Sequence, residues 1–225
     1  MGFSHEWEEK YSNNQQMSIW PWSDLVSYIY RYTDVAKRPH AKVLELGCGA
    51  GANIRLFQEL GADYYAIDGS STIIALLKEK FPMYAENLTV GDFTKEIPFD
   101  ETFDVIVDRA SVTHNTTRDI EKTICMIEGC LSRFGGRFIG IDWFSKNHDD
   151  FILGEDVIDD AYTKYMGEVK GQFDGVGNVH FSDDAHLRDL FANFDIKVME
   201  EKVVNTLLPV KHRFASWNFV AIKKD

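Results

Sequence analysis

Several shortages bound the reading of this 225-residue chain. Cysteine is scarce: Cys48, Cys125 and Cys130 cannot all pair, and no CxxC spacing suggests a zinc site. Reduced thiols in the cytoplasm are the expectation. Positive charge is short as well. Lys and Arg number 24 against 36 Asp and Glu, which leaves a formal net charge of −12. The basic residues are scattered and form no stripe for nucleic-acid phosphates or an anionic membrane surface. No apolar run approaches the length of a membrane span. The opening MGFSHEWEEKYSNN is polar and acidic, unlike a signal or transit peptide. What is present is an ordinary globular balance, 44% hydrophobic and 27% charged, with length for one well-buried domain.

From residue 41 onward strands and helices alternate. Short apolar runs at 41–46, 63–68, 88–92, 103–108 and 135–144 read as strands. Between them, 51–61, 71–82 and 116–132 carry helical periodicity, with Gly61 and Pro82 as stops. Strands separated by helices of this length imply right-handed βαβ units and an open, doubly wound parallel sheet with helices on both faces. A helix at 184–194 and strands at 195–205 and 216–224 close the chain, the last strand expected to run antiparallel. Residues 145–184 are polar and glycine-punctuated, with no clear strand. They read as an insertion over one end of the sheet that contributes to an acceptor site. Residues 1–40 read as a helical lid. Ser23 is the expected cap of its helix, and Tyr11, Trp20 and Trp22 are either an aromatic cover over a ligand or a brace.

The chemistry concentrates at strand ends. Val43-Leu44-Glu45-Leu46-Gly47-Cys48-Gly49-Ala50-Gly51 is a strand running into three glycines at alternate positions and then a helix. Glycines serve where the chain turns sharply and where a ligand must approach the backbone. The spacing is GxGxG rather than the dinucleotide GxGxxG, with Ala52 where that third glycine would stand. Glu45 would be an awkward neighbour for pyrophosphate and suits a cationic ammonium or sulfonium group. Asp68, followed by Gly69, ends the next strand, where a carboxylate can accept both ribose hydroxyls. Gly91-Asp92-Phe93 could meet an adenine edge and face, and Asp108-Arg109-Ala110-Ser111 ends the fourth strand. All lie at carboxyl ends of strands, where open α/β sheets bind ligands.

VLELGCGAG, AID, GDF and FDVIVDRAS together resemble the class I S-adenosylmethionine-dependent methyltransferases. The resemblance covers motifs from about residue 41 to 144. It implies a seven-stranded sheet in the order 3-2-1-4-5-7-6, with strand seven antiparallel. It also implies S-adenosylmethionine as cofactor, S-adenosylhomocysteine as its product, and a loop of Gly47, Gly49 and Gly51 against the methionine and ribose. Asp68 would then hold the ribose hydroxyls and Asp92 the adenine. Cys48 is a small filler in that loop. Gly69, Phe93, Asp108, Arg109 and Trp20 complete the expected cofactor surroundings.

A hydroxyl or amine acceptor needs a general base, and His114 in SVTHN stands near the expected methyl. A carboxylate acceptor, including a peptide C-terminus, needs only a clamp, for which Arg109 and Arg118 are candidates. Asp142 and Trp143 could also face the acceptor. No NPPY-like segment follows strand four, so a planar base or amide nitrogen is disfavoured. His148, His180 and His186 make no ligand set at a recognisable spacing, and no metal is expected. The expected partner is a small-molecule or peptide acceptor, not nucleic acid or membrane, in the cytoplasm. A non-catalytic cofactor-binding subunit and a nicotinamide oxidoreductase are the readings from other classes.

Overall fold

The computed structural model describes residues 5–224; residues 1–4 of the expected lid and the last residue lie outside that range. The central sheet has seven strands. These are β1 (Lys42–Leu46), β2 (Asp63–Asp68), β3 (Leu88–Val90), β4 (Val105–Arg109), β5 (Arg137–Phe144), β9 (Phe194–Thr206) and β10 (His212–Lys223). Their order is β3-β2-β1-β4-β5-β10-β9, the expected topology once the inserted strands are set aside. The first five run parallel, and β10 is antiparallel to both β5 and β9.

Alternation along the central strands sorts the core into two layers. Val43, Val105, Val107, Ile139 and Ile141 meet Leu25 and Ile29 of α2 (Ser23–Tyr32), Ile54 and Phe57 of α3 (Ile54–Glu59), and Ile73 and Leu77 of α4 (Ser71–Lys80). Leu44, Leu46, Ile106 and Phe138 turn the other way. They meet Ile120, Ile124 and Ile127 of α5 (Thr117–Cys130) and Leu187 of α6 (Asp184–Leu190). Both faces are therefore buried, which is why β4 reads as an unbroken apolar run instead of an alternating one.

The N-terminal stretch carries α1 (His5–Ser12) ahead of α2. Two expectations need correction. Ser23 is the first helical residue of α2, not its cap; Trp22 holds the cap position without a side-chain hydrogen bond. The insertion is not strandless. It carries an antiparallel sheet of β6 (Glu155–Val157), β7 (Asp160–Met166) and β8 (Gly177–His180). Its strands are short, and its own core of Met166, Phe173, Val176, Val179 and Phe181 packs onto Phe144 and Ala110 of the main sheet. Asp160 pins it to α5 by accepting from Thr117 N (2.8 Å) and Thr117 Oγ1 (2.7 Å).

Candidate active site

The parallel register sets the ends of β1, β2 and β4 side by side: Leu46 pairs with Ile67 on one flank and Asp108 on the other. The glycine loop leaves from this point. Gly47 has φ +67°, and a Cβ there would lie 2.2 Å from Ser111 Oγ, which itself donates to Leu46 O at 2.6 Å. Gly49 has φ +48°; its N–H donates to Asp68 Oδ2 at 2.8 Å, and a Cβ would stand 2.9 Å from the Tyr11 hydroxyl. Left-handed backbone and lack of room both demand glycine. Asp68 Oδ1 accepts from Ser70 N at 2.9 Å. Ser70, not Asp68, caps α4, its Oγ accepting from Ile73 N. Each Asp68 oxygen thus holds one backbone N–H and keeps acceptor capacity for a ligand hydroxyl. Burial raises its pKa, while those two backbone bonds oppose the shift.

The other acids differ. Glu45 is buried with both oxygens engaged, accepting from Asn53 Nδ2 (2.8 Å) and Tyr64 OH (2.6 Å). Burial pushes its carboxyl up to about 7. Asn53 Oδ1 in turn accepts from Trp22 N, so Glu45 braces the loop and the lid besides bordering the cavity. Asp92 accepts from Thr94 N and Oγ1 and pairs with Lys95. Asp108 does not reach the cavity. It is fully buried, and its carboxylate gathers Ser111 N, Ser111 Oγ, Val112 N and Trp143 Nε1. It sets the turn after β4, and Trp143 is core, not an acceptor contact.

A cavity of about 420 Å³ opens over these strand ends. Glu45, Gly47, Cys48, Gly49, Asp68, Gly69, Asp92 and Phe93 all line it, as do Arg109 and His114. Gly51 does not: a Cβ there would lie 2.5 Å from Leu77 Cδ2 and 2.9 Å from Ile54 Cδ1, so it serves the packing of the helices behind the loop. Nor does Trp20, which is 68% exposed and stacks under Arg55, whose guanidinium lies 5.1 Å from the ring centroid. The aromatic cover is instead Trp7, Tyr11 and Trp22. Trp7 and Tyr11 stand four apart in α1, a same-face spacing the sequence displays and the expectation overlooked. Phe144, Gln172, Phe173 and Val176 complete the far wall. Arg118 points away from the site, exposed on α5.

His114 sits in that far part. Its Nδ1 lies 3.3 Å from the Asn178 carbonyl, which only accepts, so Nδ1 carries the proton and Nε2 keeps a lone pair. Burial, helped by the Arg109 charge, lowers its pKa to about 4. Trp7 packs edge-on to it at 5.0 Å and Phe144 at 6.0 Å. Arg109 is already committed: Nε and Nη2 donate to Asp142 Oδ2 (3.2 and 3.0 Å), and Trp22 stacks on its guanidinium at 3.6 Å.

Residues 43–136 match the family model for the methyltransferase domain. That stretch is thus similar to a methyltransferase domain, and the chain as a whole shares the fold of solved S-adenosylmethionine-dependent methyltransferases. An uncharacterized methyltransferase of Bacillus cytotoxicus is 27% identical over 143 residues, 63% of this chain and 66% of that protein. A cypemycin N-terminal methyltransferase of a Streptomyces species is 30% identical over 112 residues, 48% of this chain and 42% of its own length. The chain thus spans from 42% to 66% of the length of these curated relatives. The crystal structure of an S-adenosylmethionine-dependent methyltransferase from Methanosarcina mazei shares the fold. Its TM-score is 0.66 at 16% identity, over 91% of this chain and 98% of that one. Solved structures of this fold include ones with S-adenosylmethionine or S-adenosylhomocysteine bound.

The residues present fit that cofactor. Gly47 and Gly49 present backbone to the cavity, the Asp68 carboxylate has acceptor capacity left, and Phe93 lines the cavity wall. The space falls within the range of sites for ligands of this size.

Proposed function

We propose that this protein transfers a methyl group from S-adenosylmethionine to a hydroxyl or amine of a small acceptor. The neutral, oriented His114 in the aromatic end of the cavity is the observation that carries the acceptor reading. Gly47, Gly49 and Asp68 would hold the cofactor, with Asp92 and Phe93 at the adenine. The bound cofactor supplies an already activated methyl on a sulfonium.

The chain's own task is then alignment and exclusion of water, which can contribute roughly 7–11 kcal/mol. Trp7, Tyr11 and Trp22 close one side; Phe144 and Phe173 close the other. His114 Nε2 takes the proton that a hydroxyl or ammonium acceptor loses, and Asn178 O holds the ring in the required tautomer. Its low pKa keeps it unprotonated across the physiological range. Carboxylate methylation is the weaker reading. Arg109, the clamp it would need, is neutralised by Asp142 and covered by Trp22, and Arg118 lies outside the cavity. The name of the Streptomyces relative favours an amine among the possible nucleophiles.

The test is calorimetry with S-adenosylhomocysteine, followed by radiolabelled methyl transfer to a panel of phenols, amines and carboxylic acids. Binding of the product with turnover confined to phenols or amines is expected. Turnover confined to carboxylic acids overturns the acceptor reading, and absence of any binding overturns the enzyme reading with it.

A further inference from the structure

Behind the far wall of the cavity, the fold brings together three residues that no spacing rule joins: His148, Asp150 and His212. His148 precedes the 3-10 turn Asp149–Ile152 that follows β5, and His212 opens β10. One ligand atom from each lies within 4.8 Å of the others. His148 and Asp150 are 2% and 1% exposed. The His212 side chain keeps an edge to solvent.

We propose that His148, Asp150 and His212 form a site for a divalent transition-metal ion, zinc being the ion used to test it. Two imidazoles and one carboxylate are a donor set such ions take, and the open side of His212 leaves a position for water. The second observation is an unmet group. His148 Nε2 is buried and has no hydrogen-bond partner, while His148 Nδ1 accepts from Asp150 N at 3.0 Å. A buried imidazole nitrogen left without a partner beside a His–Asp pair needs an explanation. An ion ligated by Nε2 would supply one.

His212 Nε2 lies 2.8 Å from Asp150 Oδ1, and that contact must open to admit an ion. To ligate through Nε2, His212 carries its proton on Nδ1. His148 must carry its proton on Nδ1 to ligate through Nε2, so the Asp150 amide turns off that nitrogen. Loading therefore exchanges two hydrogen bonds for metal–ligand bonds, and it weakens as pH falls. Asp150 Oδ2 keeps its own role, accepting from Gln172 N at 2.6 Å. Gln172 and Phe173 line the cavity. The ion would thus clamp the turn after β5, the 171–173 loop and the start of β10 into one wall.

The experiment uses untagged protein stripped with chelator and then dialysed against zinc. Bound metal is measured by mass spectrometry and the unfolding transition by calorimetry, with cobalt absorption as an independent readout of geometry. Wild type is expected to retain one more zinc per chain than His212→Ala. It should also gain several degrees of transition temperature on loading, and that gain should vanish in His212→Ala. Asp150→Asn, which can still accept from the Gln172 amide, should bind at least tenfold more weakly. His212 is partly exposed, so its alanine variant should fold, and circular dichroism checks both variants. Equal zinc retention and equal thermal gain in wild type and His212→Ala would overturn the site, as would no uptake by wild type. None of these readouts depends on methyl transfer.

Discussion

The two ends of the cavity are built in different ways. The end proposed for the cofactor is made of main chain: a glycine loop, three strand ends and one carboxylate that ties Gly49 and Ser70 together. The end proposed for the acceptor is made of side chains from segments far apart in sequence: Trp7 from α1, His114 after β4, Phe144 from β5 and Phe173 from the insertion. Main-chain recognition leaves local traces, because a left-handed loop needs glycine wherever it occurs. Side-chain recognition depends on what the fold assembles. This is how one scaffold can keep its cofactor and change its acceptor.

Substitutions at the two ends should therefore move different quantities. The largest expected effect is at His114. His114→Ala should lower turnover by about 100- to 10,000-fold, the range for a positioned acid or base, and leave S-adenosylhomocysteine affinity within about twofold. Because its pKa is lowered to about 4, the acid limb of the wild-type rate should fall near pH 4 and not near 6.5. Steady-state kinetics across pH, beside calorimetry, checks both statements. A matching loss of cofactor affinity would merge the two ends into one.

Asp68→Ala is the counterpart at the other end. Hydrogen bonds to a charged group are worth roughly 1.5–3 kcal/mol, so S-adenosylhomocysteine should bind about 10- to 150-fold more weakly. Circular dichroism should remain unchanged, since Ser70 and not Asp68 caps α4. Unchanged affinity would remove Asp68 from the cofactor site.

The same division explains what the sequence disclosed. The run DYYAID coincides with β2 residue for residue, and the strand order follows from the family pattern. Glu45, Asp68, Asp92, Gly47 and Gly49 converge on one cavity, because each sits at or just after a strand end whose position the parallel register dictates; Gly51 faces Ile54 and Leu77 instead. Asp108 occupies an equivalent strand end and yet faces inward, held by the Ser111 and Val112 amides and the Trp143 indole. Position along a strand does not reveal which way a terminal side chain turns. The inserted sheet is not legible locally because its strands are three, seven and four residues long and the first two are largely exposed or half-buried. Its stability comes from docking on Phe144, a tertiary contact that local periodicity does not carry. His212 stands 62 positions beyond Asp150, so no ligand spacing could announce that pair.

A third test concerns a residue that borders the cavity and serves the scaffold. Glu45 has its pKa raised from 4.5 to about 7, mainly by burial. A carboxyl raised on folding contributes stability that is complete below its unfolded value and is lost as pH rises through the folded one. The stability difference between wild type and Glu45→Gln should therefore shift in favour of the glutamine variant between pH 4.5 and 8. The interval from 4.5 to about 7 sets a ceiling of roughly 3 kcal/mol on that shift. Denaturant unfolding at four pH values measures it. A difference that is flat with pH would show that Glu45 remains ionised in the fold.

The smallest effects separate two tryptophans: Trp20, which the sequence reading places at the cofactor, and Trp7, which it does not single out. Trp7 packs against His114 and lines the cavity, whereas Trp20 lies on the surface beneath Arg55. Trp7→Ala removes a wall of the acceptor end and should raise the acceptor KM by about tenfold, the loss of one well-packed aromatic contact. Trp20→Ala removes an exposed ring and a cation–π contact worth about 0.5–1 kcal/mol, so it should change stability slightly and kinetics not at all. If Trp20→Ala instead weakened S-adenosylhomocysteine binding, the lid would have to close further than this structure shows. The aromatic cover would then belong to the cofactor end as well as to the acceptor end.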